Sequence, residues 1–419
     1  MHDDGLSGYS AGSRRAALNH QHICVVTETY PPEVNGVALT LAHLVKGLLA
    51  QGHLVSVVRP HQRRSDLGGY GQDFRVTLVR GLPLPGYKGL QFGLPACRLL
   101  CRSWKLRRPD AVYVATEGPL GWSAVRTAQR LGIPALSGFH TNFHSYLRHY
   151  RVGWLQHLVF RYLRRFHNRS TGTLVPSADL RDRLQVLGFK NVSTLGRGVD
   201  SELFTPERRS VELRRHWGLS DTDVAVLYVG RIAPEKNLKV AVDAYRAMKQ
   251  RSGSVKFVIV GEGPSCGALQ RENADLIFCG LRTGEQLAKH YASADVFLFP
   301  SETETFGNVT LEAMASGLVV IAYDYAAAKM HIRHDETGVL VPYGDSTAFV
   351  DSAASLVRAP LSLGKIRRQA REYVISIEWR YVVERFEMLL TSARNQKEEG
   401  PRFFDNVPRF GQIAAGGRI

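Results

Sequence analysis

The chain has 419 residues, 44% of them hydrophobic, and a net charge of +16 with a pI near 9.8. That length exceeds one ordinary core, so two domains are expected, and no apolar run approaches the roughly 18 residues of a membrane span. Five scattered cysteines without a C-x-x-C pair or a Cys/His cluster exclude a disulfide scaffold and a structural metal, while the positive balance points to anionic partners: nucleic acid, phosphorylated substrates or acidic lipid surfaces.

Residues 1–20 lack a hydrophobic signal-peptide core and read as a disordered leader, which implies a cytoplasmic protein. Ile23 to Thr27 (ICVVT) reads as a buried strand, Glu28 to Gly36 as a loop, and Val37 to Ala50 as a helix. Val37, Leu41, Leu44, Val45 and Leu48 recur on one face of that helix. Gly36 therefore opens a helix directly after a strand, where a backbone can approach phosphate closely. Leu54 to Val58 and Val76 to Val79 are further strands; Leu94 to Arg107 is a basic helix, Ala111 to Ala115 a strand, and Ser123 to Leu131 a helix.

Pro134 to Ser137 leads into Gly138-Phe139-His140-Thr141-Asn142-Phe143. In open α/β sheets, ligands bind at the carboxyl ends of the strands. His140 lies just beyond such an end, placed to hydrogen-bond a sugar or its leaving group. From Ala135 to Ala178 there is no Asp or Glu, whereas Arg148, Arg151, Arg161, Arg164, Arg165 and Arg169 alternate with aromatic residues. Trp154 to Phe166 forms an amphipathic helix with a basic face, the pattern of a helix on an anionic membrane surface. A nucleic-acid surface with interleaved aromatics has the same pattern. Leu195-Gly196-Arg197-Gly198-Val199-Asp200 then suits an inter-domain crossing, giving domains over 21–196 and 197–375.

The second half restarts the alternation. Val224 to Val229 is a strand whose exit loop carries Arg231 and Lys236, two cations able to clamp a diphosphate. Val240 to Met248 is a helix, Phe257 to Val260 and Ile277 to Gly280 are strands, and Thr283 to Ala292 is a helix. Ala294 to Phe299 is a buried strand followed by a turn, a helix over Asn308 to Ser316, and a strand over Leu318 to Ala322. Glu304 and Glu312 frame that turn and helix. The amides of Phe306, Gly307, Asn308 and Val309 between them have no intrahelical acceptor and suit a phosphate. One carboxylate there can take sugar hydroxyls and the other a ribose. Trp379 to Leu390 is a terminal amphipathic helix, and residues from about Asn395 read as a disordered tail.

Glu304, Phe306, Gly307 and Glu312 stand in an E-x-F-G-x-x-x-x-E pattern, and this resembles the E-x7-E signature of retaining glycosyltransferases of family 4. G-R-x-x-x-x-K-N from Gly230 and G-V-D-x-x-x-F-x-P from Gly198 match the same family. The resemblance covers roughly residues 22–392. Glu28-Thr29-Tyr30-Pro31-Pro32 with Asn35-Gly36-Val37, and the F-H-T-N-F segment, suggest the branch of GDP-mannose-dependent α-mannosyltransferases, with sulfoquinovosyl-diacylglycerol synthases nearby.

It implies an α/β GT-B fold of two doubly wound Rossmann-like domains facing a cleft, with the terminal helix (376–394) packed back on the first. It also implies that Arg231, Lys236, Gly307 and Asn308 hold the diphosphate of a nucleotide-sugar donor and that Glu312 holds the ribose. Gly280 and Leu281 hold the base, Glu304 and His140 orient the sugar, and Gly36 lets the first domain close over the phosphates. No D-x-D triplet follows a strand, so neither a metal nor another cofactor is expected. The expected acceptor is a lipid or glycan at the inner face of the cell membrane, with no nucleic acid bound. The base stays open between guanine and uracil. A GT-B epimerase or phosphorylase, or an inactive nucleic-acid- or membrane-binding protein, are the alternatives.

Overall fold

The computed structural model describes residues 20–33, 35–62, 71–83, 91–140, 153–304, 306–357 and 360–399. Residues 1–19 of the expected leader, Thr141 to Phe143, and Arg148 and Arg151 of the basic segment lie outside the described residues.

The first half forms strands β1 (His22–Val26), β2 (Leu54–Pro60), β3 (Phe74–Val79), β4 (Gly81–Pro83), β5 (Gln91–Gly93), β6 (Ala111–Val114), β7 (Ala135–Gly138), β8 (Gly172–Val175) and β9 (Val192–Thr194). Helices α1 (Gly36–Ala50), α2 (Cys97–Leu106), α3 (Pro119–Leu131), α4 (Gly153–His167) and α5 (Ala178–Val186) alternate with them. β4 and β5 make a small antiparallel hairpin; the other strands form one parallel sheet in the order β3-β2-β1-β6-β7-β8-β9. Helix α2 starts three residues later than its expected Leu94, because Pro95 favours extended backbone at the residue before it. Helix α3 starts earlier than Ser123, at Pro119, whose fixed φ and missing N–H suit a first helical position.

The second half repeats the pattern. Helices α6 (Val211–His216), α7 (Leu238–Arg251), α8 (Cys266–Glu272), α9 (Gly284–Ser293), α10 (Asn308–Ala315), α11 (Ala326–His331), α12 (Ser346–Leu356) and α13 (Pro360–Ile375) accompany six strands. These are β10 (Val224–Val229), β11 (Val255–Val260), β12 (Ile277–Phe278), β13 (Val296–Phe299), β14 (Val319–Tyr323) and β15 (Val339–Val341). They form a second parallel sheet, ordered β12-β11-β10-β13-β14-β15. Each sheet grows outward in both directions from a central pair, β1/β6 and β10/β13. Connections leave that pair toward opposite edges, which opens a crevice at the carboxyl ends of the strands.

Strands such as VAVLYV and VFLF are buried on both faces, which is why they read as continuous apolar runs. One buried network anchors the second sheet. Asp295, just before β13, accepts from Arg214 and Arg209 at 3.0 Å each, from Arg367 at 3.4 Å and from the Ala225 amide at 2.8 Å. Arg214 is fully buried and also donates to the carbonyls of Ser293, Ser220 and Asp223.

The last helix, α14 (Trp379–Glu399), returns to the first domain. Its Val382, Val383, Phe386, Leu389 and Leu390 share one apolar cluster with Leu41, Leu44, Val45 and Leu48 of α1. Each such side chain is worth about 1.5–3 kcal/mol when removed from water. Trp379 stacks on His43 with ring centroids 4.5 Å apart. The outgoing and returning segments touch: the Val199 amide donates to the Ile377 carbonyl at 3.0 Å, and the Ser201 hydroxyl to Glu378 at 2.6 Å. A Cβ on Gly198 would lie 2.6 Å from the Trp379 nitrogen, so only glycine allows this crossing. Of the tail expected to be disordered from Asn395, the first residues are helical, since α14 continues to Glu399, and residues 400–419 lie outside the described residues. Residues 391–399 contain neither Gly nor Pro, and the first breakers are Gly400 and Pro401.

Candidate active site

The exit loops of β10 and β13 meet at the carboxyl edge of the second sheet. After β10 the chain turns through Gly230 and Arg231, then forms a 3-10 turn over Pro234–Lys236. The Arg231 carbonyl accepts from the Tyr228 hydroxyl at 3.0 Å, and the half-exposed guanidinium lies 3.6 Å from Glu235. Lys236 reaches across to the β13 loop: its Nζ lies 2.5 Å from Glu304 Oε1 and 3.3 Å from the Thr303 carbonyl. The Ser301 hydroxyl donates to the same Glu304 oxygen at 2.7 Å. Lys236 and Glu304, assigned from sequence to the diphosphate and to the sugar, are thus partners of each other.

Gly307 has φ +94°, a left-handed conformation that favours glycine, and this turns the chain into α10. No side chain caps that helix, so the amides of Asn308 and Val309 open it toward the loop. Phe306 is buried beneath them, its carbonyl accepting from the Ala327 amide at 2.8 Å. Two tyrosines that sequence reasoning missed fix the height of the loop. Tyr325, two residues beyond β14, donates to the Glu304 carbonyl at 2.8 Å, and Tyr343, beyond β15, donates to the Glu302 carbonyl at 2.9 Å. Both follow a strand, so the carboxyl-edge rule that selected His140 also applies to them.

Glu312 lies one turn inside α10 and accepts from the Tyr291 hydroxyl at 3.0 Å. Burial pushes its carboxyl up to about 7. A carboxyl raised in the fold favours folding while it stays protonated, and that contribution fades as pH rises from about 4.5 through about 7. Glu312→Gln is therefore expected to raise Tm at pH 8 by at least about 2–4 °C and to leave it unchanged at pH 4. Thermal melts at the two values check this, and an equal difference at both would count against it.

Gly280 and Leu281 lie just past β12. The Gly280 carbonyl accepts from the Gly261 amide at 2.9 Å, and Leu281 is exposed. Across the crevice Gly36 opens α1 with no atom within 4 Å of where a Cβ would stand. Two amides of that helix end are already satisfied, because Asn35 Oδ1 accepts from Val37 at 3.1 Å and Ala38 at 2.9 Å.

His140 is held by two partners that sequence reasoning also missed. Arg197 donates to Nδ1 at 2.9 Å, and the Tyr113 hydroxyl lies 3.0 Å from Nε2. Burial and the Arg197 charge hold the imidazole well below its ordinary pKa. Arginine only donates, so Nδ1 accepts and the ring proton sits on Nε2, facing Tyr113. Both ring nitrogens are therefore engaged within the protein. Burial raises Glu28, two residues beyond β1, to about 7, and the charge of Glu117 adds to the shift.

Residues 34–203 match the model of Glycosyltransferase Family 4, and residues 223–359 match that of Glycosyl transferases group 1. A GDP-mannose-dependent alpha-mannosyltransferase of Mycobacterium tuberculosis is 33% identical over 86% of this chain and 94% of its own length. A sulfoquinovosyl transferase of Arabidopsis thaliana is 29% identical over 83% of this chain and 68% of its own. Among solved structures, sucrose-phosphate synthase from Thermosynechococcus elongatus superposes with a TM-score of 0.73 at 21% identity, covering 89% of this chain and 99% of that one. The Anabaena protein HepE in complex with UDP-glucose gives 0.70 at 18% identity, over 89% and 100%. Two parallel sheets facing one crevice, two adjoining family matches and a relative of nearly equal extent agree: the chain is a GT-B glycosyltransferase and belongs to glycosyltransferase family 4.

Proposed function

We propose that this glycosyltransferase moves a hexose, with retention, from a nucleotide diphosphate-sugar to the hydroxyl of a glycolipid or polysaccharide precursor. GDP-mannose is the preferred donor. The observation that carries the reading is the meeting of Arg231, Lys236, Glu304 and the open end of α10 at one sheet edge. Two cations and two helix amides there neutralise the charge that grows on a diphosphate as the anomeric C–O bond breaks. In this reading Lys236 exchanges its Glu304 partner for phosphate oxygens when donor binds, and Glu304 becomes free to accept from sugar hydroxyls. Glu312 takes the ribose, and the strand edge at Gly280 and Leu281 takes the base. His140 bounds the sugar from the opposite domain, its nitrogens fixed by Arg197 and Tyr113. Closure over Gly36 excludes water. Mannose and guanine are favoured by the 33% identity to the mycobacterial mannosyltransferase.

The protein's own cations stand in for a metal in this mechanism. Turnover is therefore expected to persist in excess chelator. The membrane part of the reading rests on α2 and α4, where Leu99, Leu106, Leu158 and Tyr162 are exposed among Arg98, Arg102, Lys105, Arg161 and Arg165. No helix among the described residues is long and apolar enough to cross a membrane.

A thermal-shift panel of GDP- and UDP-sugars, followed by turnover against lipid extract, tests the proposal. GDP-mannose should give the largest shift and an α-linked mannosyl product. A shift from UDP-sugars alone would move the assignment to a UDP-dependent transferase, and an isomerised donor without glycosylated acceptor would overturn it.

A further inference from the structure

Among the described residues, Asn191, Asn237, Asp335 and Ala326 are the non-glycine residues with a positive φ. Asn and Asp carry short polar side chains that hydrogen-bond locally and so tolerate the left-handed region. Ala326, at φ +51°, has no such relief, and glycine would adopt the same backbone without a Cβ clash. The left-handed turn is fixed by its neighbours. The Tyr325 amide donates to the Tyr323 carbonyl at 2.7 Å, and the Ala327 amide to the Phe306 carbonyl at 2.8 Å. Both bonds are main-chain to main-chain, so glycine at 326 would keep them. The methyl group is all that alanine adds there. Ala326 is half-buried, follows β14 at the carboxyl edge of the second sheet, and lines an open hollow of about 210 Å³ together with Ser301, Glu304, Phe306 and Tyr325. Strained backbone of this kind clusters at ligand sites.

We infer that Ala326 is a specificity-determining residue: its methyl is a fixed wall beside Glu304 that admits one hydroxyl configuration of the donor hexose and rejects the epimer. The inference rests on the proposed function, in which Glu304 takes the sugar hydroxyls. A carboxylate alone selects weakly between epimers, because its two oxygens offer about four lone-pair sites and can accept from a hydroxyl in more than one position. A methyl on a pinned backbone cannot follow the ligand, since alanine has no rotamers and the turn is held on both sides. The wall also keeps its distance from the carboxylate, because the Tyr325 hydroxyl donates to the Glu304 carbonyl at 2.8 Å. Epimers differ by one oxygen moved between axial and equatorial, a displacement on the scale of a methyl group. A single methylene in a substrate pocket discriminates about 10- to 200-fold.

Nucleotide release by the full chain, with lipid extract as acceptor, tests this on epimeric donors that share a base: GDP-mannose against GDP-glucose, and UDP-glucose against UDP-galactose. The native chain should favour one epimer of the pair it uses by at least about tenfold in kcat/KM, and Ala326→Gly should shrink that preference at least about fivefold. Its Tm should hold or rise, because glycine relieves the left-handed backbone. Ala326→Asn tolerates the same φ but fills more of the hollow. It should keep its Tm and raise KM for the favoured donor at least about tenfold. An epimer preference equal in the native and Ala326→Gly chains overturns the inference, and a fall in Tm beside it would make the methyl a packing element instead. Titration with GDP and UDP separates the two levels of the reading. A native chain that binds neither nucleotide overturns the proposed function and this inference with it. One that binds nucleotide and turns over both epimers equally overturns the inference alone.

Discussion

Lys236→Ala is expected to lower kcat/KM for the donor by about 10²- to 10³-fold, roughly 3–4 kcal/mol of transition-state stabilisation. Lys236 bridges the two exit loops, holding Glu304 at 2.5 Å and the Thr303 carbonyl at 3.3 Å. On the proposed assignment, removing it withdraws positive charge from the leaving diphosphate and loosens the carboxylate that would take the sugar. The loss should fall mainly on kcat, because the charge it answers grows only as the bond breaks. A cycle with Glu304→Gln measures the coupling: the double variant should lose less than the two single losses combined. Steady-state kinetics with GDP-mannose check this, and a Lys236→Ala enzyme within threefold of normal turnover would remove Lys236 from the diphosphate site.

Asp295→Ala is expected to destabilise the second domain by about 3–5 kcal/mol, the cost of removing one partner from a buried ion pair. Three arginines converge on this carboxylate, and one of them, Arg214, is fully buried. Alanine leaves those charges facing one another and strips the Ala225 amide of its acceptor at 2.8 Å. Urea unfolding, followed by Trp217 fluorescence in that domain, gives the measurement. A loss below about 1 kcal/mol would mean that water or rearranged arginines replace the carboxylate. Asp295→Asn should fall between, since the amide oxygen still accepts but carries no charge.

Much of the architecture was legible because strands buried on both faces leave unbroken β-branched runs, and helices leave a 3.6-residue stripe. The loops holding Arg231, Lys236, Glu304 and Gly307 were legible for a related reason, since each follows such a run. Their partners were not. The pairing of Lys236 with Glu304 joins residues 68 positions apart. It depends on β10 and β13 being neighbours, a fact of sheet order that no local pattern encodes. Arg197 reaches His140 across 57 positions in the same way. To the eye it was one more charged residue in a glycine-rich crossing. Nor did periodicity show where α14 stops, because its polar last turns leave the apolar face before the helix ends.

The contact between Val199 and Ile377 has a genetic consequence. The first domain is split in sequence, and the second is spliced into it through two cuts that lie side by side. Residues 200–377 therefore form a cassette whose ends already meet. A gene encoding that cassette alone should yield a folded module built on its own parallel sheet, and a gene with the cassette deleted and the gap bridged by a few glycines should yield the other half. If the proposed donor site is right, swapping cassettes between relatives would exchange donor preference while leaving acceptor choice with the recipient.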